Sequence, residues 1–525
     1  MNTRLCGVRR LRRLTAVIVS ISSSVVAVLF AAPGSVRDSA DRVDIGLRRQ
    51  LLVDDLVIDR KEKVTRTLGT VTKKGIVLKP SLETDFHPEW KKPAGSRVAL
   101  DFGYYITVLK NEKRGVFQMW YMAWRHAGVG YAESEDGVHW KKPLVGKGGS
   151  SNIVHHSQGF SCSIDPTLPW GHPEKYRGAA DLGVDGYGGA RSCVGLCYSS
   201  DGIHWRDYNE GRPVSHRAAD THNQIFRDPL SGKHRLLTRT DLGAGGGARE
   251  WRSSRVMEHE SGEILASPSA WKTLVDRVVV DDPKKELNRS GHPRLQFNGM
   301  TCWVHEGIYF ALMDVYTMDE SDFFDGFDYE TRHDSDHMDF YLGTSRDGVA
   351  IDKRWIHARR PFVPRGGRGA FDKDGIKPPS QIVTVGDEHR IYYGGMDERH
   401  YSRGRHLNIG LATLPRDRFI GLAAGSDRGT IVTRPFRLQG DELRLNVAAS
   451  KGEVGVALST QSGEPIDGFA RKDSAPARAV DELDWIPRWS RPLRSLRGRT
   501  VRLHIDLRNA VVYAFQLTSR SQPRG

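Results

Sequence analysis

From about residue 97 to residue 413 the chain alternates short apolar runs with clusters of Gly, Asp, Asn and Ser. The runs are five to nine residues long, and none keeps its apolar positions at helical spacing, so they predict strands. Val116–Trp124 reads as a strand buried on both faces, and Tyr309–Tyr316 and Leu407–Thr413 are similar. One polar phrase punctuates the pattern. Ser134-Glu135-Asp136-Gly137-Val138-His139-Trp140 returns as Ser199-Ser200-Asp201-Gly202-Ile203-His204-Trp205, and in shorter form as Ser345-Arg346-Asp347-Gly348-Val349. Asp-Gly suits a turn needing φ > 0, and Ser and Asp side chains close such turns onto the backbone. A phrase returning after about 65 residues marks one supersecondary unit used several times. The predicted unit is strand–turn–strand, repeated around a ring.

Five passes of this grammar fit between about residues 45 and 420, beginning with a strand at Gln50–Ile58. Passes of roughly 65–75 residues match four-stranded propeller blades with their loops. After Gly421–Gly425 the pattern changes. Leu443–Val447, Val454–Leu458, Thr500–Leu507 and Val511–Leu517 predict a separate β-sandwich. The fold class expected is all-β: a five-bladed β-propeller over 41–420 followed by a C-terminal β-sandwich over 421–525.

Composition agrees, with 12 Trp, 16 Tyr, 18 Phe and 55 Gly in 525 residues. Residues 1–40 carry an Arg-rich start, an uncharged apolar stretch from Leu14 to Phe30 and a small-residue end. They read as a secretory signal that is removed, which predicts a secreted or periplasmic protein without a membrane anchor. The formal net charge is +14, and the first 40 residues hold six Arg and one Asp of that balance. A basic surface of this size suits plain solvation or an anionic polysaccharide, and no basic block with interleaved aromatics was found that would favour nucleic acid. Cys162, Cys193, Cys197 and Cys302 lie beyond the signal; the C-x3-C spacing of Cys193 and Cys197 has no companion pair, so zinc is not expected. They suit buried thiols or one disulfide.

In a ring of blades the innermost strands converge on a central funnel. Counting back eight or nine residues from each first hairpin turn gives equivalent slots, occupied by Asp101, His156 and Asp220. Carboxylates gathered in a low-dielectric funnel shift one another's pKa, so that one serves as acid and another as base. Asp220-Thr221-His222-Asn223 packs four polar residues before an apolar strand, which suits the funnel or an Asx-type turn. Arg294 precedes the fourth inner strand, and Asp372 follows the Gly-rich run Gly366–Gly369 before the fifth. His156, His222, Asn223, Arg294 and Asp372 are therefore candidate substrate contacts. Asp319–Asp339 holds nine acidic residues among aromatics, which suits a solvated loop, a sugar-stacking rim or a structural Ca²⁺; no other cofactor is expected.

This layout resembles the five-bladed propeller glycoside hydrolases of the invertase and arabinanase group (families 32 and 43), and exported bacterial proteins labelled glycosyl-hydrolase-like. Arg227-Asp228-Pro229 looks like the family 32 Arg-Asp-Pro motif, whose Asp steadies the transition state. His305-Glu306-Gly307 looks like the motif that carries the general acid. The resemblance implies a glycosidase with Glu306 as acid, Asp101 as base or nucleophile, and Asp220 or Asp228 as the third carboxylate. The same Asp228-Pro229 suits a hairpin turn, and Glu306 a hairpin tip. Two other classes stay open: a non-catalytic glycan-binding propeller, and a sialidase-like enzyme using the cluster Arg249, Arg252 and Arg255.

Overall fold

Antiparallel pairing accounts for nearly every element of the computed structural model, which describes residues 42–519 apart from 93–94, 183–192, 216–218, 243–250, 260–269, 281–293, 319–335, 401 and 403. Most of the acidic segment at 319–339, the Gly-rich 243–247 and Arg249 lie outside the described residues. The chain separates by its contacts into Met1–Arg42 and Val43–Gly525, and every element below belongs to the second. Among the described residues no helix is long and apolar enough to cross a membrane.

Three four-stranded sheets follow one another along the chain. The first holds Thr107–Asn111, Val116–Met122, Val129–Ser134 and Ile153–His155; the second Gln158–Ile164, Tyr176–Asp181, Val194–Ser199 and Arg206–Asp207. The third holds Gln224–Arg227, His234–Leu242, Trp251–His259 and Trp271–Val278. An eight-stranded sheet comes next. Its first half is Leu295–His305, Ile308–Met318 and Asp336–Ser345; its second is Gly375–Lys377, Val383–Val385, Glu388–Met396, Leu407–Pro415 and the early strand Thr72–Leu78. The halves meet through the single parallel pair Met338↔Gly375.

The recurring phrase makes the same turn each time. Gly137, Gly202 and Gly348 have φ of 76°, 81° and 72°. The Ser hydroxyl accepts the Gly N–H at 2.8, 2.9 and 3.0 Å, and the Asp carboxylate accepts the next two backbone N–H groups at 2.8–2.9 Å. The Trp indole then closes back on the Gly carbonyl in the two full copies. Each turn rests on a different sheet. Trp120 of the first sheet donates to Gly202 O at 2.7 Å, and Tyr392 of the eight-stranded sheet donates to Gly137 O at 2.9 Å. Gly348 packs against Arg235 of the third sheet. Ser161 of the second sheet donates to Asn223 O, at the start of the third, at 2.6 Å, so contacts run from sheet to sheet and return to the first.

Ten further strands form a sheet around its own apolar core, from Leu422 to Leu517. Its 19-residue strand Glu442–Thr460 pairs with Ala510–Thr518 over its first part and with Thr500–Arg508 over its second. Gly452 lies at the changeover, where a Cβ would sit 2.1 Å from Arg508 O. The stretch Gln50–Ile58 differs from its expected place. It is two strands, Gln50–Leu51 and Ile58–Glu62, both paired within this ten-stranded sheet, and Ile45, Leu52, Val57 and Ile58 join its core. Asp54 causes the break, because its side chain accepts the Leu56 N–H and turns the chain. All four described cysteines are buried, and none of them forms a disulfide among the described residues.

Candidate functional site

The segments that precede the inner strands bring a set of ionisable groups together. Asp101 is buried; its carboxylate accepts from the Arg125 backbone N–H at 3.3 Å and faces Arg405 Nη2 at 3.4 Å. Asp220 is half-buried, and its charge acts on Tyr104, Tyr105 and Arg125, as does that of Asp101 on Tyr104 and Arg125. Two carboxylates more than a hundred residues apart therefore share one Tyr–Arg neighbourhood. Asp220 makes no hydrogen bond or ion pair among the described residues. Desolvation works against the charge on Arg125, but Asp220 and Asp101 outweigh it and its pKa rises.

A third carboxylate joins from the eight-stranded sheet. Asp314 accepts from Lys377 Nζ at 2.8 Å and from Asn298 Nδ2 at 2.7 Å, and its charge reaches Tyr104. Arg252 donates to Asn298 Oδ1 at 3.1 Å and lies over the Tyr316 ring at 5.0 Å. Lys377 is 2 % exposed and sits between the Tyr104 and Tyr316 rings at 4.9 and 5.6 Å. Burial pulls its pKa down to about 8 against the opposing pull of Asp314. Burial likewise raises Tyr104 and Tyr105 above the usual phenol range. The Tyr104 hydroxyl meets His400 Nδ1 at 2.7 Å. Tyr105 has φ of 53°, a left-handed conformation that costs a non-glycine residue about 1–3 kcal/mol and is found where function holds it.

His222 belongs here as well. It is 4 % exposed, packs against Tyr105 at 5.5 Å between ring centroids, and neither ring nitrogen has a hydrogen-bond partner. Burial, helped by Lys377, lowers its pKa to about 3, so the imidazole is neutral. His156 is exposed near this end, with Nδ1 at 3.1 Å from Ala127 O. Arg294 is half-buried at the start of Leu295–His305.

Four of the sequence candidates lie elsewhere or are already committed. Glu306 occupies the tip of the two-residue hairpin between His305 and Ile308, with φ of 49°. Asn298, which touches the cluster, is eight residues back along the same strand, about 26 Å away at a rise of 3.3 Å per residue. Asp228 also sits past the end of its inner strand. It accepts from Tyr309 Oη at 2.6 Å, Ser231 Oγ at 2.8 Å and the Leu230 N–H at 2.9 Å, and pairs with Arg235 at 3.0 Å. Asp165 repeats this arrangement one sheet earlier with Thr167 and Arg177 and faces His234 of the third sheet at 3.8 Å, so both are turn carboxylates that join neighbouring sheets. Asn223 is spent on backbone: its amide donates to Ala219 O and Gly159 O, and its oxygen accepts from Thr238. Asp372 is 2 % exposed and holds Lys73 at 2.6 Å and Tyr393 at 2.9 Å, anchoring the Gly-rich loop to the strand Thr72–Leu78.

The cluster Arg252 and Arg255 is split. Three residues apart on one strand, they point to opposite faces; Arg255 pairs with Asp276 at 2.6 Å on the neighbouring strand, and Arg252 enters the cluster. Two side-chain triads outside it have metal-like composition, His305–His389–Asp417 and His155–Cys197–Asp207. In the first, His389 Nε2 already accepts the Asp417 N–H at 2.8 Å, so its lone pair is taken. In the second, burial raises the Cys197 thiol well above its usual range, which disfavours the thiolate a metal needs.

Sequence reasoning missed Asp314, Lys377, Arg405 and Tyr104. A lone acid inside the apolar run Tyr309–Tyr316, and a lone Lys before Pro378-Pro379, were the available signals.

No protein-family profile matches the chain, and no curated protein matches it. Solved structures similar to it include an N-acetylgalactosamine deacetylase from F. plautii, in complex with blood group B trisaccharide. That pair has 13 % identity, covers 68 % of this chain and 97 % of the other, and has a TM-score of 0.42. A thermostable family-43 glycoside hydrolase has 12 % identity, 59 % and 88 % coverage and a TM-score of 0.37. An exo-inulinase from Aspergillus awamori has 10 % identity, 85 % and 98 % coverage and a TM-score of 0.35. At these values the likeness assigns no activity, which rests on the side chains themselves.

Proposed function

We propose that the protein is an exported glycoside hydrolase whose active site is the cluster around Asp101, Asp220 and Asp314. In this reading the three four-stranded sheets and the two halves of the eight-stranded sheet are the five blades of a propeller. The ten-stranded sheet is the sandwich. Sheet-to-sheet contacts that return to the first sheet, and the single residue pair joining the two halves, support that count. The cluster then lies at the funnel, where the leading ends of the inner strands meet.

Asp101, held by Arg405 and the Arg125 N–H, serves as base or nucleophile. Asp220 carries no hydrogen-bonded cation and is placed to protonate the leaving oxygen. Asp314, fixed by Lys377 and Asn298, orients the pair and completes the three carboxylates. Half-buried Tyr105 offers ring surface for sugar C–H groups. The observation that carries this reading is the convergence of Asp101 and Asp220 on the same tyrosine and arginine.

The test is release of reducing sugar from a panel of plant and marine polysaccharides by the wild type, Asp101→Asn, Asp220→Asn and Glu306→Gln. Activity lost in the first two variants and kept in the third is the expected result. Full activity in both Asp variants overturns the assignment, and binding without product release from any glycan replaces it with a non-catalytic glycan-binding propeller.

A further inference from the structure

The ten-stranded sheet carries an open cleft of about 1060 Å³ whose lining runs from Glu482 to Arg497 and includes Asp441–Leu443. That size is at the upper end of what holds a small organic ligand and admits a short oligosaccharide. Its wall is the segment Arg488-Trp489-Ser490-Arg491-Pro492-Leu493-Arg494-Ser495-Leu496-Arg497, with an arginine at every third position. Leu493–Leu496 is a 3₁₀ turn, which repeats every three residues. Leu493 and Leu496 therefore point into the core at 6 % and 2 % exposure, while Arg488, Arg491, Arg494 and Arg497 are all exposed.

Charge on the two walls is unequal. Asp484 is neutralised by Arg49 and by Arg416 at 2.8 Å, Glu442 by Arg444 at 2.7 Å, and Asp441 faces Arg497 at 3.6 Å. Among the described residues Arg491 pairs only with the fully exposed Asp467, at 3.9 Å. Arg488 and Arg494 have no ion pair or side-chain hydrogen bond among the described residues. Half-buried Trp485 and Trp489 and exposed Ile486 supply flat apolar surface between them. The Trp489 indole N–H is without a hydrogen-bond partner.

We propose that this cleft binds an anionic polysaccharide, with Arg488 and Arg494 pairing its carboxylate or sulfate groups and the tryptophans stacking on its rings. Guanidinium forks match both anions. Carboxylates such as Glu482 in the lining can accept sugar hydroxyls, which a polysaccharide carries on every ring and a DNA backbone does not, and this favours a polysaccharide over DNA. The inference stands apart from the catalytic reading, because it concerns binding at a different sheet.

The experiment is affinity electrophoresis of the full chain through gels containing polygalacturonate, chondroitin sulfate, neutral dextran or no polymer, with an oligo-dT titration alongside. It is run on the wild type, Asp101→Asn/Asp220→Asn, Arg488→Glu/Arg494→Glu and Arg488→Lys/Arg494→Lys. The charge-reversed variant should bind about tenfold more weakly at low salt, the lysine variant should lose less, and the hub variant should bind as the wild type does. Stronger retardation by polygalacturonate assigns uronate as the anion, and by chondroitin sulfate assigns sulfate. Equal retardation of the wild type and the charge-reversed variant, or equal affinity for dextran or oligo-dT, overturns the proposal. Binding lost in the hub variant instead moves the glycan site to the funnel and also overturns it.

Discussion

The two ends of the inner strands treat the same residue type in opposite ways. Asp228, just past the strand Gln224–Arg227, has three hydrogen-bond donors, an ion pair with Arg235 and no exposure. Desolvation pushes its pKa up, yet Tyr309 and the other donors outweigh it and the carboxyl stays below its usual range. Asp220, just before the same strand, is half-buried and has no hydrogen-bonded partner among the described residues. A carboxylate whose lone pairs are filled by its own protein is built for stability. One left open beside tyrosines and an arginine keeps its lone pairs for a ligand.

Substitutions on either side separate the two ends. Asp101→Asn or Asp220→Asn should lower turnover about 10²–10⁴-fold, the range for removing an acid or base, with the thermal melt of Asp220→Asn nearly unchanged; a marked loss of melting temperature in Asp220→Asn would mean both ends are structural. Asp228→Ala should do the reverse. Leaving Arg235 buried without its acceptor should cost about 3–5 kcal/mol in urea unfolding, and a stability unchanged within error would erase the distinction.

Lys377 sharpens the comparison through pH. Its folded pKa of about 8 lies below the ordinary lysine value of 10.5. Between those two values the unfolded chain binds the extra proton, so the Lys377 contribution to stability rises as pH climbs through that window and is constant below it. The Asp314 ion pair is lost over the same rise, so activity should fall with an apparent pKa near 8. Lys377→Arg should remove that alkaline limb, and a limb that persists would place the titration on another group. The smallest effect is expected at the hairpin tip. Glu306→Asn creates Asn-Gly in a turn with φ of 49° and 73°, which should raise stability by about 0.5–1 kcal/mol and leave turnover intact. A loss of turnover there would reinstate Glu306 near the chemistry.

Asp101 and Asp220 were reachable by counting back from hairpin turns, because that count follows strand length. The motif match at His305-Glu306-Gly307 falls at a hairpin tip away from the cluster, because three residues that also make a tight hairpin carry little information about which end of a strand they occupy. Asp314 escaped because it lies on a second strand, Ile308–Met318, where slot counting along inner strands does not look. Lys377 comes from a three-residue strand that follows a long loop. The placement of Ile45–Ile58 in the ten-stranded core depended on partners more than 360 residues away.

The sequence alone determined the recurring Ser-x-Asp-Gly turns, the strands between them and the all-β class, since each is settled by side chains bonding to backbone within a few residues. Which strand ends meet, which carboxylates keep open lone pairs, and that Thr72–Leu78 pairs with Leu407–Pro415 were decided only by tertiary structure. Those outcomes depend on burial and charge contributed by segments hundreds of residues apart, and no local pattern records them.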